Sequence, residues 1–318
     1  MGIVAIVHQV VIIILAYALR VHDWTKQYFT RGRRPAIVPG VHEERIQIPS
    51  RDPGRSITAY KYTPEGATGA LPVFLYWHAS GFVLKRLRLD AHMLSLISSK
   101  LQCVVLGCDY RKGPENKFPA ADQDAEDRAA LTQQAVLHVL AHPTKYDTSR
   151  ITVGGSSAGG MLALVMCAVF GPKLKGCFAL YPPSVMASPG KPHRAPNDTF
   201  RSGIILAPWM FSLFIAAYAP RDLSREPRFN PLIADVSQFP EHVLIACGDA
   251  DVLWNDGRLM IEKVQREGMG DHKTHARFLS VKDEAHEFNT FPATPETIAA
   301  RDDVYGQGIA VLRAAMAS

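Results

Sequence analysis

A chain of 318 residues, 47% hydrophobic and 20% charged, is long enough for one large core or two modest ones. Its net charge of +5 is mild at that length, and no dense Lys/Arg block alternates with aromatics, which excludes nucleic acid as the expected partner. Five cysteines, an odd number with no C-x-x-C pair and mostly within apolar runs, predict buried free thiols rather than a disulfide framework.

No H-E-x-x-H or other close His/Cys spacing occurs, so neither a metal nor a cofactor is expected. From Ile3 to Leu19 the chain is apolar except for His8 and Gln9, and Arg20, Lys26, Arg31, Arg33 and Arg34 follow. About 20 apolar residues are needed to span a bilayer, so this run is at the short end. It lacks a positive n-region and a clear cleavage site, which argues against a removed signal peptide. Ile6 in place of Ser or Thr argues against myristoylation at Gly2. Residues 1–40 therefore carry two open readings: an uncleaved anchor giving membrane association through residues 3–19, or a helix that covers an active site. As an anchor, the basic residues after it keep the rest of the chain cytosolic. An intracellular protein, cytoplasmic or membrane-associated, is expected.

Val41 to Pro49 and Ser56 to Tyr62 predict two strands joined at Arg51-Asp52-Pro53-Gly54, which has turn chemistry. Leu71 to Trp77 is a near-continuous apolar run, the mark of a strand buried on both faces. It ends in His78-Ala79-Ser80-Gly81-Phe82. Helix from Leu89 to Lys100, strand from Cys103 to Cys108 and a long helix from about Ala120 to Ala141 follow. Ile151 to Val153 is a β-branched strand that meets a Gly/Ser cluster, after which Met161 to Met166 predicts a buried helix. Gly176 to Leu180 is the next strand. This alternation implies a mostly parallel sheet covered on both faces. It breaks down between Tyr181 and about Pro240, a Pro-rich segment with its own apolar runs that reads as a lid or cap. Strand Val243 to Cys247, helix Asn255 to Gly268, strand Ala276 to Val281 and helix Pro295 to Ala315 resume the pattern.

The chemistry centres on Gly155-Ser156-Ser157-Ala158-Gly159. Strand, sharp turn and helix are the context of a G-x-S-x-G nucleophile elbow. Its glycines are needed because a Cβ two places either side of the central residue collides with neighbouring backbone. A phosphate loop is excluded by the missing Lys, and a dinucleotide fingerprint by Ser156 at its middle glycine position. A serine hydroxyl needs a base and a group to orient that base. Both come in the order Ser, acid, His, at strand ends: Asp249 and Asp251 after the strand ending at Cys247, then His286. Spacing leaves either aspartate open. The backbone N–H groups of Ser80, Gly81 and Ala158 are the expected oxyanion donors. Phe82, Trp209, Met210, Phe211 and Phe214 are the expected substrate-binding side chains, with Tyr218 beside them; cap core is the alternative reading.

Five ordered motifs resemble the hormone-sensitive-lipase-type family, the carboxylesterase group of α/β-hydrolases related to arylacetamide deacetylases, from about Val41 to the end. His78 to Phe82 resembles H-G-G-G-[FW], and Asp109 to Glu115 with Phe118 to Ala121 resembles D-Y-R-L-A-P-E…F-P-A-A. Gly155 to Gly160 resembles G-D-S-A-G-G, Asp251 to Leu253 resembles D-P-L, and His286 to Phe288 resembles H-G-F. Glu226 to Leu232 resembles the D-P-R-x-S-P-L that closes the family's cap. The resemblance implies an α/β-hydrolase domain over 41–318 with a helical cap at about 182–240. It implies Asp251 as the acid, a structural charge network of Asp109, Arg111 and Glu115, and ester hydrolysis of small to medium apolar substrates. A non-catalytic receptor on the same fold, or an amidase or acyltransferase using the same triad, is the alternative. Three departures stand out. Ala79 and Ser80 replace glycines, which strains the loop if either needs positive φ. Ser156 replaces Asp beside the nucleophile. Glu287 replaces Gly beside His286, where a carboxylate raises the histidine pKa.

Overall fold

A computed structural model describes every residue except 1–2, 31–35, 51, 126–134, 187–193, 220–222 and 269–274. The strands are β1 (Val41–Pro49), β2 (Ser56–Pro64), β3 (Leu71–Trp77), β4 (Val104–Cys108), β5 (Tyr146–Ser156), β6 (Gly176–Leu180), β7 (His242–Gly248) and β8 (Ala276–Val281). They form one sheet in the order β1-β2-β4-β3-β5-β6-β7-β8. β1 and β2 pair antiparallel, β2 joins β4 antiparallel, and all pairs from β4 to β8 are parallel.

Alternation along β3 sorts its side chains between two cores. Val73, Leu75 and Trp77 face the core shared with α4 (Ala135–Leu140), α5 (Ala158–Phe170) and α7 (Trp254–Glu267). Phe74 and Tyr76 face the core of α2 (Ala91–Leu101) and α8 (Pro295–Ala317). Covering both faces is what lets β3, β4 and β6 be apolar throughout. The five cysteines are buried free thiols. The expected helix over 120–141 is described at its ends, as α3 (Ala120–Ala125) and α4; its middle lies outside the described residues.

The N-terminal helix α1 runs from Ile3 to Thr30, well past the apolar run that signalled it. Amphipathic residues after Leu19 continue it, because Arg20 and Asp23 find partners on the body of the protein. A third core joins Ile12 and Ala16 of α1 to Leu213, Phe214 and Ala217 of α6 (Pro208–Tyr218), with Val83, Leu84 and Leu253 beneath. α1 and α6 thus bury each other on one side. On the other, α1 exposes Ile6, Val7, Val10, Val11, Ile14, Leu15, Val21, Trp24 and Phe29. It is long and apolar enough to cross a membrane.

Candidate active site

β5 ends at Ser156 and α5 begins at Ala158, leaving Ser157 alone in the turn with φ of 50°. That strained conformation is tolerated because its surroundings leave no room for another. A Cβ on Gly155 would sit 2.2 Å from the Gly159 carbonyl oxygen, and one on Gly159 would sit 2.0 Å from that of Trp77. Side chains at either position would push the elbow off the sheet.

Three residues from separate strand ends meet here. His286 Nε2 lies 3.0 Å from Ser157 Oγ, and His286 Nδ1 lies 2.7 Å from Asp251 Oδ2. All three are buried. The other Asp251 oxygen accepts the Leu253 N–H at 2.9 Å, which aims the carboxylate. Asp249 instead accepts the Asp283 N–H at 2.8 Å and an Asn197 amide proton at 3.3 Å. It orders the loop before the histidine and does not touch the imidazole. Burial pushes the His286 pKa down, but the Asp251 charge and hydrogen bond outweigh it, and Glu287 adds to them against Arg86. The net direction is upward.

The loop after β3 is held by a chain of hydroxyls. Tyr110 has one hydroxyl proton, and it goes to the His78 carbonyl at 2.6 Å. The Ser80 hydroxyl, 2.6 Å from Tyr110 Oη, is therefore the donor of that bond. Ser80 Oγ in turn accepts the Phe82 N–H at 2.8 Å. Positive φ falls at Gly81 (56°) and Phe82 (59°), not at Ala79 or Ser80, so the two replaced glycines bring no backbone strain. Among the described residues the Gly81 N–H donates to no acceptor, and the Ala158 N–H, first in α5, has no intrahelical one. Ser156 accepts a hydrogen bond from the Tyr76 hydroxyl at 2.9 Å.

A cavity of about 250 Å³ opens above Ser157. Phe82, Met210, Phe211 and Phe214 line it. Trp209 does not: it is 60% exposed, because one residue of helical twist turns it to the outer side of α6. α1 contributes Leu19, His22, Asp23 and Lys26 to the wall. Asp109, Arg111 and Glu115 form no single network. Asp109 pairs with His78 and Lys112, Arg111 with Asp124 and Asp52, and Glu115 with Arg20 of α1. Asn230 accepts the Met186 N–H and donates to the Leu223 and Ser224 carbonyls, anchoring the return from α6.

Sequence reasoning missed Asp23, Arg86 and Tyr181. Tyr181 stands edge-on to His286 at 4.6 Å. Arg86 lies in the run Leu84-Lys85-Arg86-Leu87-Arg88, where nothing local separates a buried guanidinium from a solvated one.

A mostly parallel sheet covered on both faces, with serine, histidine and aspartate meeting at one edge, defines an α/β-hydrolase. The alpha/beta hydrolase fold family matches over residues 74–290, and the chain belongs to that family, in its hormone-sensitive-lipase-type branch. It is 28% identical over 199 residues to an AB hydrolase superfamily protein of Schizosaccharomyces pombe, covering 59% of this chain and 56% of that protein. It is also 28% identical over 246 residues to carboxylic ester hydrolase LipN of Mycobacterium tuberculosis, covering 72% and 61%. The solved esterase of Pyrobaculum calidifontis superimposes with a TM-score of 0.77 over 97% of both chains, at 25% identity.

Proposed function

We propose that the protein is a carboxylesterase-type serine hydrolase acting on esters of small to medium apolar substrates through an acyl-serine. The observation that carries this reading is the contact of His286 with Ser157 on one nitrogen and Asp251 on the other. Ser157 Oγ attacks the ester carbonyl carbon while its proton passes to His286 Nε2. Asp251 holds Nδ1–H, so the free lone pair faces the serine and the imidazolium is stabilised once formed. The N–H groups of Ser80, Gly81 and Ala158 are assigned to the oxyanion; Gly81 and Ala158 have the unspent donors that support this. The tetrahedral intermediate collapses, and the alcohol leaves with the His286 proton. Water then attacks the acyl carbon, gives a proton to His286, and the acid departs as Ser157 regains it.

The cap of this reading is α1 together with residues 182–240, whose α6 packs on α1 over the serine. A cavity of about 250 Å³ is below the usual range for drug-sized ligands, which favours compact esters. Ser157→Ala should abolish both turnover of p-nitrophenyl butyrate and labelling by a fluorophosphonate. Undiminished turnover refutes the assignment, and a wild type that does not label favours a non-catalytic receptor.

A second reading concerns location: α1 lies on a lipid surface as an interfacial helix. At about 1.5 Å per residue, its 28 residues extend roughly 42 Å, and exposed apolar side chains run along it from Ile6 to Phe29. The sole acid in α1 is Asp23, which is buried, so no carboxylate on α1 opposes contact with anionic lipid.

A further inference from the structure

Glu287 occupies a backbone conformation that favours glycine, with φ of 59°. It is also 4% exposed, directly after His286, with one carboxylate oxygen that meets no hydrogen-bond donor among the described residues. A buried carboxylate beside the histidine is doubly unfavourable unless something holds it there. That something is Arg86, itself 7% exposed, whose Nη1 meets Glu287 Oε1. The remaining arms of Arg86 reach Asp23 of α1, with Nε at 3.0 Å and Nη2 at 2.6 Å from Oδ1. Asp23 is 6% exposed, and its second oxygen accepts a Gln27 amide proton at 2.7 Å. Three buried charges thus run from the N-terminal helix to the histidine loop. Arg20, one turn earlier, ties α1 to the loops after β3 and β4 through the Val83 carbonyl at 2.9 Å, the Gly113 carbonyl at 2.6 Å, and Glu115.

We propose that the chain Asp23–Arg86–Glu287 positions His286, so that α1 is a component of the active site rather than a cover over it. Glu287 acts as a positioning residue: it fixes the backbone one residue beyond the imidazole, and the Ile204 N–H, which bonds the His286 carbonyl at 2.7 Å, holds the peptide link that joins the two residues. When α1 leaves, Arg86 loses Asp23 and two of its three nitrogens lose their acceptor, so its hold on Glu287 loosens and the imidazole is free to swing from Ser157. This inference rests on the serine-hydrolase reading and goes beyond it. It makes catalytic competence depend on docking of the N-terminal helix.

The groups facing His286 decide the electrostatic sign. Asp251 and Ser157 bond it, and Tyr181 stands edge-on. Glu287 and Arg86 adjoin it, Asp23, His22 and Lys26 line the same cavity, and Asp283 and Glu284 precede it on its loop. Neutralising Glu287 removes a charge that favours imidazolium and leaves Arg86 opposing it, so the histidine titrates lower.

The test uses the full chain, with rates expressed per active site titrated by fluorophosphonate. Asp23→Asn and Glu287→Gln should each lower kcat on p-nitrophenyl butyrate about tenfold to a hundredfold, since displacement of a reacting group by about 1 Å has effects of that order. KM should stay within about twofold, and in Glu287→Gln the acid limb of the pH profile should move to lower pH. The double variant should be no worse than the weaker single one, because the chain acts as a unit. Glu287→Gly, relaxed at positive φ, should fold with a thermal midpoint near that of the wild type yet share the loss of kcat. Wild-type kcat in Asp23→Asn or Glu287→Gly, or multiplying losses in the double variant, overturns the proposal. A wild type that fails to label sinks the hydrolase reading instead, and the two failures are distinguishable.

Discussion

Tyr110→Phe isolates the hydroxyl chain that shapes the loop after β3. The ring stays, and with it the stack on His78 at 4.9 Å and the edge contact with Phe82 at 6.2 Å, so packing is nearly constant. Two buried bonds vanish. The His78 carbonyl loses its donor, and the Ser80 hydroxyl loses its acceptor. A buried polar group left unsatisfied costs about 1–3 kcal/mol, so the loss of stability should be about 2–5 kcal/mol. The kinetic effect should be comparable in free energy. Ser80 carries one of the broken bonds and Gly81 follows it directly, and one misplaced oxyanion donor lowers kcat by about 10²–10³. Urea unfolding reads the first quantity, and kcat on p-nitrophenyl acetate the second. Tyr76→Phe is the control. It removes the single bond to Ser156, which lies on the far side of the elbow, and should cost about 1 kcal/mol. If Tyr110→Phe unfolds within about 0.5 kcal/mol of the wild type and keeps its kcat, the hydroxyl chain has no role in shaping the loop.

The imidazole must be neutral to accept the Ser157 proton, and its pKa is raised, so kcat/KM should fall as pH drops through a value above the ordinary 6.5. Asp251→Asn removes the two largest upward causes and leaves only Glu287 against burial and Arg86. The acid limb should move to lower pH, and kcat should drop by about 10³–10⁴, because the Asn oxygen stays with the Leu253 N–H and its NH2 donates to Nδ1, which puts the imidazole proton on Nε2; a pH–rate profile with an unmoved limb contradicts this. Gly159→Ala should lose about 3 kcal/mol or more by thermal or urea unfolding. Its Cβ would lie 2.0 Å from the Trp77 oxygen and 2.7 Å from that of His78, which are backbone atoms with no rotamer to yield. A fully stable variant would mean the elbow is looser than described. Ile14→Asp and Trp24→Asp, on the exposed face of α1, should weaken flotation with anionic vesicles while hydrolysis of a soluble ester stays within about twofold. Unchanged flotation removes the lipid-surface reading.

Much of this site was legible because its signals are local. Gly155 and Gly159 flank Ser157 for a reason that operates within five residues, and the apolar run of β3 announces burial on both faces by itself. The choice between Asp249 and Asp251 was not legible from spacing, since the two stand on one loop. It turns on which carboxylate the Asp283 N–H captures, and that depends on the pairing of β7 with β8. Trp209 and Met210 are adjacent aromatic and apolar residues, and only the phase of α6 against α1 decides which one faces the substrate. The replaced glycines are similar. Ala79 and Ser80 suggested strain, but positive φ is shifted to Gly81 and Phe82, where the Ser80 hydroxyl accepts the turn's N–H.

By itself, then, the sequence determined the strand order of events along the chain, the elbow, and the class of nucleophile. Those follow from residue size, backbone freedom and hydrophobic period, which act over a few neighbours. Tertiary structure alone decided that Arg86 is buried between Asp23 and Glu287, residues 63 positions before it and 201 after it. A charged side chain has no intrinsic preference for burial. Only the partners that folding brings within reach make its desolvation tolerable, and those partners are absent from its local sequence.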